Sequence, residues 1–220
     1  MDKTRTVNTA RNAAFAWSGH LLGILVTFVT RQIFVRFLSA EYLGLTGLFG
    51  NVLTVLSLVE LGVGPAMVYS LYKPLAAGDT EKVRALMALL ARAFRAVGLA
   101  VVALGLAFTP AYPLLMDAVP DIPGLNQIYW LFVLDTGASY CFAYKRALVT
   151  ASQNRHIETG AHQFAAILLH LAQILALALT GNYIVFLLAQ IAGTLFENAL
   201  LTGWANRAFP YLRDKRPAPP

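Results

Sequence analysis

The sequence predicts an all-α integral membrane protein, a bundle of about six transmembrane helices with both termini in the cytoplasm. Three observations carry that expectation. The chain of 220 residues is 58% hydrophobic and only 13% charged, against about 25% charged residues in ordinary soluble domains, and its mean hydropathy is +0.61. Apolar stretches of roughly 20 residues recur along it, the length a helix needs to cross about 30 Å of hydrocarbon. The Lys and Arg residues sit at the ends of those stretches rather than in one patch. Backbone polar groups in lipid must pair internally, which leaves helices or closed barrels. The stretches are too long and too uniformly apolar for barrel strands, which read as about 10 alternating residues.

The first span is Asn12–Phe34, followed by the loop Val35–Tyr42. The second is Leu43–Tyr69, in which Gly62-Val63-Gly64-Pro65 should bend or loosen the cytoplasmic end, because proline lacks a donor. The loop Ser70–Arg84 leads to the third span, Ala85–Phe108. Asp79 or Thr80, after Gly78, is a candidate N-cap, so this helix should begin before the bilayer. Arg84, Arg92 and Arg95 then fall near one face, as snorkelling side chains or as a basic rim to a cavity. The Pro-rich loop Thr109–Asn126 precedes the fourth span, Gln127–Thr150, and Ala151–Thr159 precedes the fifth, Gly160–Thr180. A tight turn at Gly181-Asn182 opens the sixth, Tyr183–Trp204. Residues 1–212 thus form one six-helix transmembrane domain, and the charged, Pro-rich stretch 213–220 reads as a cytoplasmic tail or linker.

Orientation follows from the basic residues. With the N-terminus inside, 15 of the 17 Lys and Arg residues fall on the cytoplasmic side, leaving only Arg31 and Arg36 outside. This distribution also accounts for the net charge of +6 without invoking nucleic acid, which is not an expected partner. The single cysteine, Cys141, excludes an intramolecular disulfide. The first apolar segment is too long for a signal peptide and lacks cleavage chemistry.

Polar residues within spans are informative because lipid-facing helices have no use for them. The first span carries the stripe Asn12, Ala16, Gly19, Gly23, Thr27, Thr30, Arg31; the second carries Gly47, Asn51, Thr54, Ser57 and then Glu60. Asp135 and Ser139 lead towards Arg146 on the fourth. Gln163, His170 and Gln173 mark the fifth, and Gln190, Thr194 and Glu197 the sixth. Simple helix packing, as at Gly19-x-x-x-Gly23, explains any one stripe. Five stripes together suggest helices converging on a hydrated cleft, lined by residues such as Thr27, Asn51, Gln163 and Gln173. Glu60, Asp135 and Glu197 lie well inside their spans, where an unpaired charge costs roughly 2.5–3.5 kcal/mol or more, so they must be paired, protonated or hydrated. The histidines His20 and His170 read as polar packing residues. There is no phosphate loop, HExxH or close His/Cys set, and no nucleophile is fixed, so no catalytic residues, metal or cofactor are expected and the protein is not read as an enzyme.

The run Arg31-Gln-Ile-Phe-Val-Arg-Phe-Leu-Ser-Ala-Glu41-Tyr-Leu-Gly-Leu-Thr-Gly-Leu-Phe49 resembles the first-to-second helix junction of bacterial polysaccharide flippases, the O-antigen flippase-like branch of the multidrug/oligosaccharidyl-lipid/polysaccharide exporter superfamily. Val59-Glu-Leu-Gly-Val-Gly-Pro-Ala66, Tyr69-Ser-Leu-Tyr-Lys-Pro-Leu75 with Gly78-Asp79, and Phe142-Ala-Tyr-Lys-Arg-Ala-Leu148 with Gln153-Asn154 are similar to further parts of it. The resemblance implies one lobe, the N-terminal half, of a two-lobed exporter in the bacterial inner membrane. Such an exporter moves a lipid-linked oligosaccharide or lipopolysaccharide precursor by alternating access. It implies an undecaprenyl-pyrophosphate glycan as substrate, with Arg31 as first contact and Arg11 and Arg146 at the cytoplasmic mouth. Glu60, Asp135 and Glu197 become candidates for ion coupling or gating. A second chain carrying the C-terminal half is a candidate partner, since a fragment, a split-gene product and a half-size protein all fit. A multidrug or cation exporter of the same superfamily and a non-transporting membrane scaffold are the alternatives.

Overall fold

The computed structural model describes residues 21–60, 63–116 and 120–213, with the backbone alone at 59, 60, 63, 141, 142 and 213. All regular structure among them is helical. The chain runs through α1 (21–37), α2 (Ala40–Leu56), a 3-10 turn (Ser57–Glu60), α3 (Val63–Ala76) and α4 (Thr80–Ala107). After a second 3-10 turn (Tyr112–Leu115) come α5 (Leu125–Ala151), α6 (Arg155–Thr180) and α7 (Tyr183–Ala208), and a final turn at Pro210–Arg213. Three helices, α4, α6 and α7, are long and apolar enough to span a membrane. Among the described residues, three of the six spans expected above are therefore borne out by length and hydropathy. α2 is shorter, at 17 residues, and α5 carries Asn126, Gln127, Asp135, Lys145 and Arg146 along its length.

The largest departure from the sequence reading is in the second span. A continuous Leu43–Tyr69 helix is replaced by α2, the 3-10 turn and a separate α3 that occupies much of the expected loop Ser70–Arg84. Pro65 has no N–H and its ring crowds the carbonyl four residues back, which kinks or breaks a helix interior but is tolerated in a first turn. It sits in the first turn of α3. The other boundaries shift less. α1 continues to residue 37, so the expected loop Val35–Tyr42 shrinks to a break at Leu38-Ser39. α4 begins at Thr80, where the Asp79 carboxylate accepts from the Lys82 backbone N–H at 3.0 Å. α6 begins at Arg155, inside the expected loop Ala151–Thr159. The Gly181-Asn182 turn is as expected: Gly181 has φ +57° and Asn182 Oδ1 accepts from the Ile184 N–H at 2.8 Å.

The helix α5 is the hub, packing on α4 and α7 along most of its length and on α3 near its end, while α6 packs on α7. One core gathers Phe34, Phe49, Tyr112, Tyr129 and Tyr183, whose rings meet mostly edge to face. Tyr129 of α5 donates to the Gly105 carbonyl of α4 at 2.8 Å, and Tyr112 of the connection between them donates to Asn126 Oδ1 of α5 at 2.5 Å. The other core buries Leu71 of α3 among Val83, Met87, Leu90, Phe94 and Leu148. Leu99, Leu175 and Leu179 remain more than half exposed, at 71%, 59% and 81%. Such a surface is costly in water but suits a hydrocarbon solvent.

Glycines set the closeness of α4 and α5. A Cβ at Gly137 would lie 2.3 Å from Val102 Cγ2 and one at Gly105 would lie 2.8 Å from Val133 Cγ1. A Cβ at Gly23, half of the expected packing pair, would meet nothing within 4 Å among the described residues, and Gly19 lies outside them. Gly137→Ala is therefore expected to cost about 1–3 kcal/mol by overpacking. Gly203→Ala, whose Cβ meets nothing within 4 Å, should gain roughly 0.5–1 kcal/mol from helix propensity. Thermal unfolding in detergent measures both, with opposite shifts in midpoint.

Candidate functional site

The densest polar chemistry lies where α5, α6 and α7 face one another. Arg146 and Thr150 are one helical turn apart on α5, as are Glu158 and His162 on α6, so each pair presents one face. Arg146 Nη2 donates to Glu197 Oε1 of α7 at 2.6 Å, and its Nε lies 3.8 Å from Glu158 Oε1. The other Glu197 oxygen lies 3.1 Å from His162 Nδ1, and Thr150 Oγ1 donates to Glu158 Oε2 at 2.8 Å. With His162 neutral, two carboxylates face one guanidinium and the group carries a net charge of about −1. Glu197 is largely buried, at 16% side-chain exposure, whereas Arg146 is 44% exposed. The cluster opens into a cleft of about 490 Å³, walled also by Phe94, Ser139, Tyr140, Thr194 and Asn198.

The turn between α5 and α6 fixes this geometry. Asn154 N–H bonds to Val149 O and Gln153 N–H to Thr150 O, the pattern of a left-handed helix stop. The left-handed residue is Gln153, φ +61°, where glycine is usual. Near the same end of α5 the Lys145 amine is buried, donates to Asn206 Oδ1 at 3.0 Å and lies 5.4 Å from the centre of the Tyr144 ring.

A second, larger trough of about 770 Å³ lies between α1 and α6. Arg31, Thr27, Gln163 and His170 line it, with Gln190 of α7. Thr27 Oγ1 donates to the Gly23 carbonyl and lies 3.2 Å from His170 Nε2, tying the two helices. His162 lines both spaces and is the wall they share. Behind it the Asp135 carboxyl is hydrogen-bonded by Thr194, a wall of the cleft, and Gln190, a wall of the trough. Gln190 Oε1 in turn accepts from Gln173 at 2.8 Å. Asp135 Oδ1 is buried without a hydrogen-bond partner among the described residues, and such a group costs about 1–3 kcal/mol.

The candidates from the sequence divide accordingly. Arg31, Thr27 and Gln163 come together in the trough, Arg146 and Glu197 in the cleft, and Asp135 bridges the two. Gln173 lines neither space: it is 2% exposed and links α6 to α7. Asn51 is exposed on α2 and also lines neither. Glu60 closes the 3-10 turn, and its side chain lies outside the description, as do Arg11, Asn12, Ala16 and His20. Arg84, Arg92 and Arg95 line neither space.

Glu158 was missed because it fell in an expected loop, and His162 because Gln163 beside it took its place. The signal was local: Asn154 followed by an acidic residue in the first turn marks a helix start at Arg155. Comparison of the chain with family models, with curated proteins and with solved structures found no match.

Two measurements probe this geometry. Gln153→Gly should stabilise the protein by about 1 kcal/mol by relieving the left-handed strain; an unchanged or lower unfolding midpoint would contradict it. A double-mutant cycle with Arg146→Gln and Glu197→Gln should give a coupling of about 1–3 kcal/mol, because either single change leaves the other charge short of its partner in a partly desolvated site.

Proposed function

We propose that this chain is the N-terminal, six-span lobe of a flippase that exports a lipid-linked oligosaccharide or polysaccharide precursor across the bacterial inner membrane by alternating access, with both termini cytoplasmic. On this reading α1, α2, α4, α5, α6 and α7 make the six passes, and α3 is a half-length helix following the second. The observation that carries it is the convergence of Arg146, Glu158, Glu197 and His162 on one cleft, which shares His162 as a wall with a trough that Arg31 lines. Charges in apolar helices are expensive and cluster where they line wet paths for polar cargo. Guanidinium groups suit a pyrophosphate because they make paired, charge-assisted hydrogen bonds to its oxygens. Glu197 and Asp135, one ion-paired and the other hydrogen-bonded across the two spaces, are the groups assigned to coupling or gating. The sequence resemblance supplies the glycan and the bacterial inner membrane.

One observation favours a second reading, a multidrug or cation exporter: the cleft holds two carboxylates against one arginine. Genetics separates them. Deletion of the gene should leave carrier-linked glycan facing the cytoplasm and deplete the surface polymer, and expression of the wild-type protein should restore it. Arg146→Gln should restore about a tenth as much or less, the loss of one charge-assisted contact. Normal surface glycan after deletion, in a strain with no second copy, would overturn the flippase reading. Heightened sensitivity to cationic drugs with normal glycan would establish the other.

A further inference from the structure

The two sides of α3 differ in kind. On one, Leu71 and Pro74 are buried and Met67, Val68 and Leu75 half-buried in the core shared with α4 and α5. The other carries Tyr69, 77% exposed, Tyr72, 44% exposed, and the exposed Ser70 and Lys73. The two tyrosine rings meet edge to face with centroids 6.3 Å apart. No carboxylate lies on α3. A helix face turned to water usually carries charges of both signs, and one turned to hydrocarbon carries none. Two tyrosines beside a lysine suit the layer between, where the ring lies against acyl chains and its hydroxyl stays wet.

The height of this face agrees. The chain turns at Gly78, φ +68°, and α4 runs back beside α3. Folding about that turn sets Tyr72 and Tyr69 roughly level with residues 84–87 of α4, about 30–35 Å from its end at Ala107 at 1.5 Å per residue. At that far end Trp130, 42% exposed, donates its indole N–H to Thr109. The two aromatic sites therefore stand about one hydrocarbon core apart, as the belts at the two interfaces of a membrane protein do. The charge near α3 is cationic: from residue 63 to residue 95 the chain holds Lys73, Lys82, Arg84, Arg92 and Arg95 against Asp79 and Glu81. Asp79 is already engaged by the Lys82 backbone N–H.

We infer that α3 lies in the headgroup layer and that its Tyr69–Tyr72–Lys73 face binds the heads of anionic phospholipids in the leaflet at the Thr80 end of α4. A lysine near an anionic leaflet is drawn to it electrostatically, and the tyrosine hydroxyls donate to phosphate and glycerol oxygens. These three residues line neither the cleft nor the trough. The occupant is thus a lipid of the bilayer itself, and the inference concerns how the bundle is seated, whatever it moves.

The test uses the full chain, with Cys141 replaced by serine, in nanodiscs of mixed phosphatidylcholine and phosphatidylglycerol. Single cysteines at Tyr69, Ala77 and Leu99 carry a nitroxide, whose collisions with oxygen and with a water-soluble nickel chelate report its depth. The label at 69 should lie at headgroup level, between a wet label at 77 and a deep one at 99. A label at 69 as wet as that at 77, or as deep as that at 99, would overturn the seating. Photocrosslinking from p-benzoylphenylalanine in place of Tyr72 should capture phosphatidylglycerol in excess of its share of the nanodisc. Lys73→Gln should lower that enrichment about fivefold, the attraction of one lysine to an anionic leaflet. Arg36→Gln, exposed at the opposite end of the bundle, should leave it unchanged. Equal capture of the two lipids, unaltered by Lys73→Gln, would overturn recognition of an anionic head. In the intact membranes of an expressing bacterium the same crosslinker should again yield lipid adducts; a discrete protein adduct would make this face a protein interface and overturn the inference. Glycan export enters none of these readouts, so the transport reading stands or falls separately.

Discussion

Arg146 is held between Glu197 of one neighbouring helix and Glu158 of another, and the rest of the site is arranged around that sharing. A guanidinium on an apolar helix must find carboxylates or water, and removing either partner leaves a charge that the surroundings solvate poorly. The pairing joins α5 to α7 and to the first turns of α6. Together with the sharp left-handed turn at Gln153 it sets the height at which α6 starts and the placement of His162 as the wall shared by cleft and trough.

The frame that holds this cluster is apolar and tightly packed on one side. Gly105 and Gly137 bring α4 and α5 so close that valine methyl groups fill the space where their own side chains would be. Tyr129 then caps the Gly105 carbonyl across the same seam. The other side is looser: α1 meets α6 through Thr27 and His170 and leaves an open trough beside them. Asp135, Gln190 and Gln173 link one helix to the next, and of the three only Gln190 reaches the surface of the trough, so part of the polar striping is structural glue.

Hydropathy and turn chemistry made most helices legible. The ends of α5 and α7 fall within about four residues of expectation, consistent with the usual boundary uncertainty, because Gly181-Asn182 and the Pro-rich loop interrupt long apolar runs. The α2–α3 break was less visible: a hydropathy run does not register that Pro65 disfavours a helix interior while suiting a new start, so one span was drawn over two helices. The site was legible in kind and less so in detail. Striping identified Arg31, Thr27, Gln163, Arg146, Glu197 and Asp135, but it gives the face of one helix and not the rotation of its neighbour. Gln173 therefore turned out to be buried against Gln190, and Asn51 to stand apart. Glu158 was hidden by the late placement of the α6 start.

The central claim is that the polar groups lining the cleft and the trough are reached by water. Its most direct measure is labelling by a membrane-impermeant thiol reagent in intact membranes, with the sole cysteine, Cys141, first replaced by serine. Reporter cysteines would stand at Ser139 in the cleft and Thr27 in the trough. The lipid-side control is Leu99, 71% exposed on α4. The account predicts labelling of Ser139→Cys and Thr27→Cys and protection of Leu99→Cys; protection of all three in folded protein would contradict it.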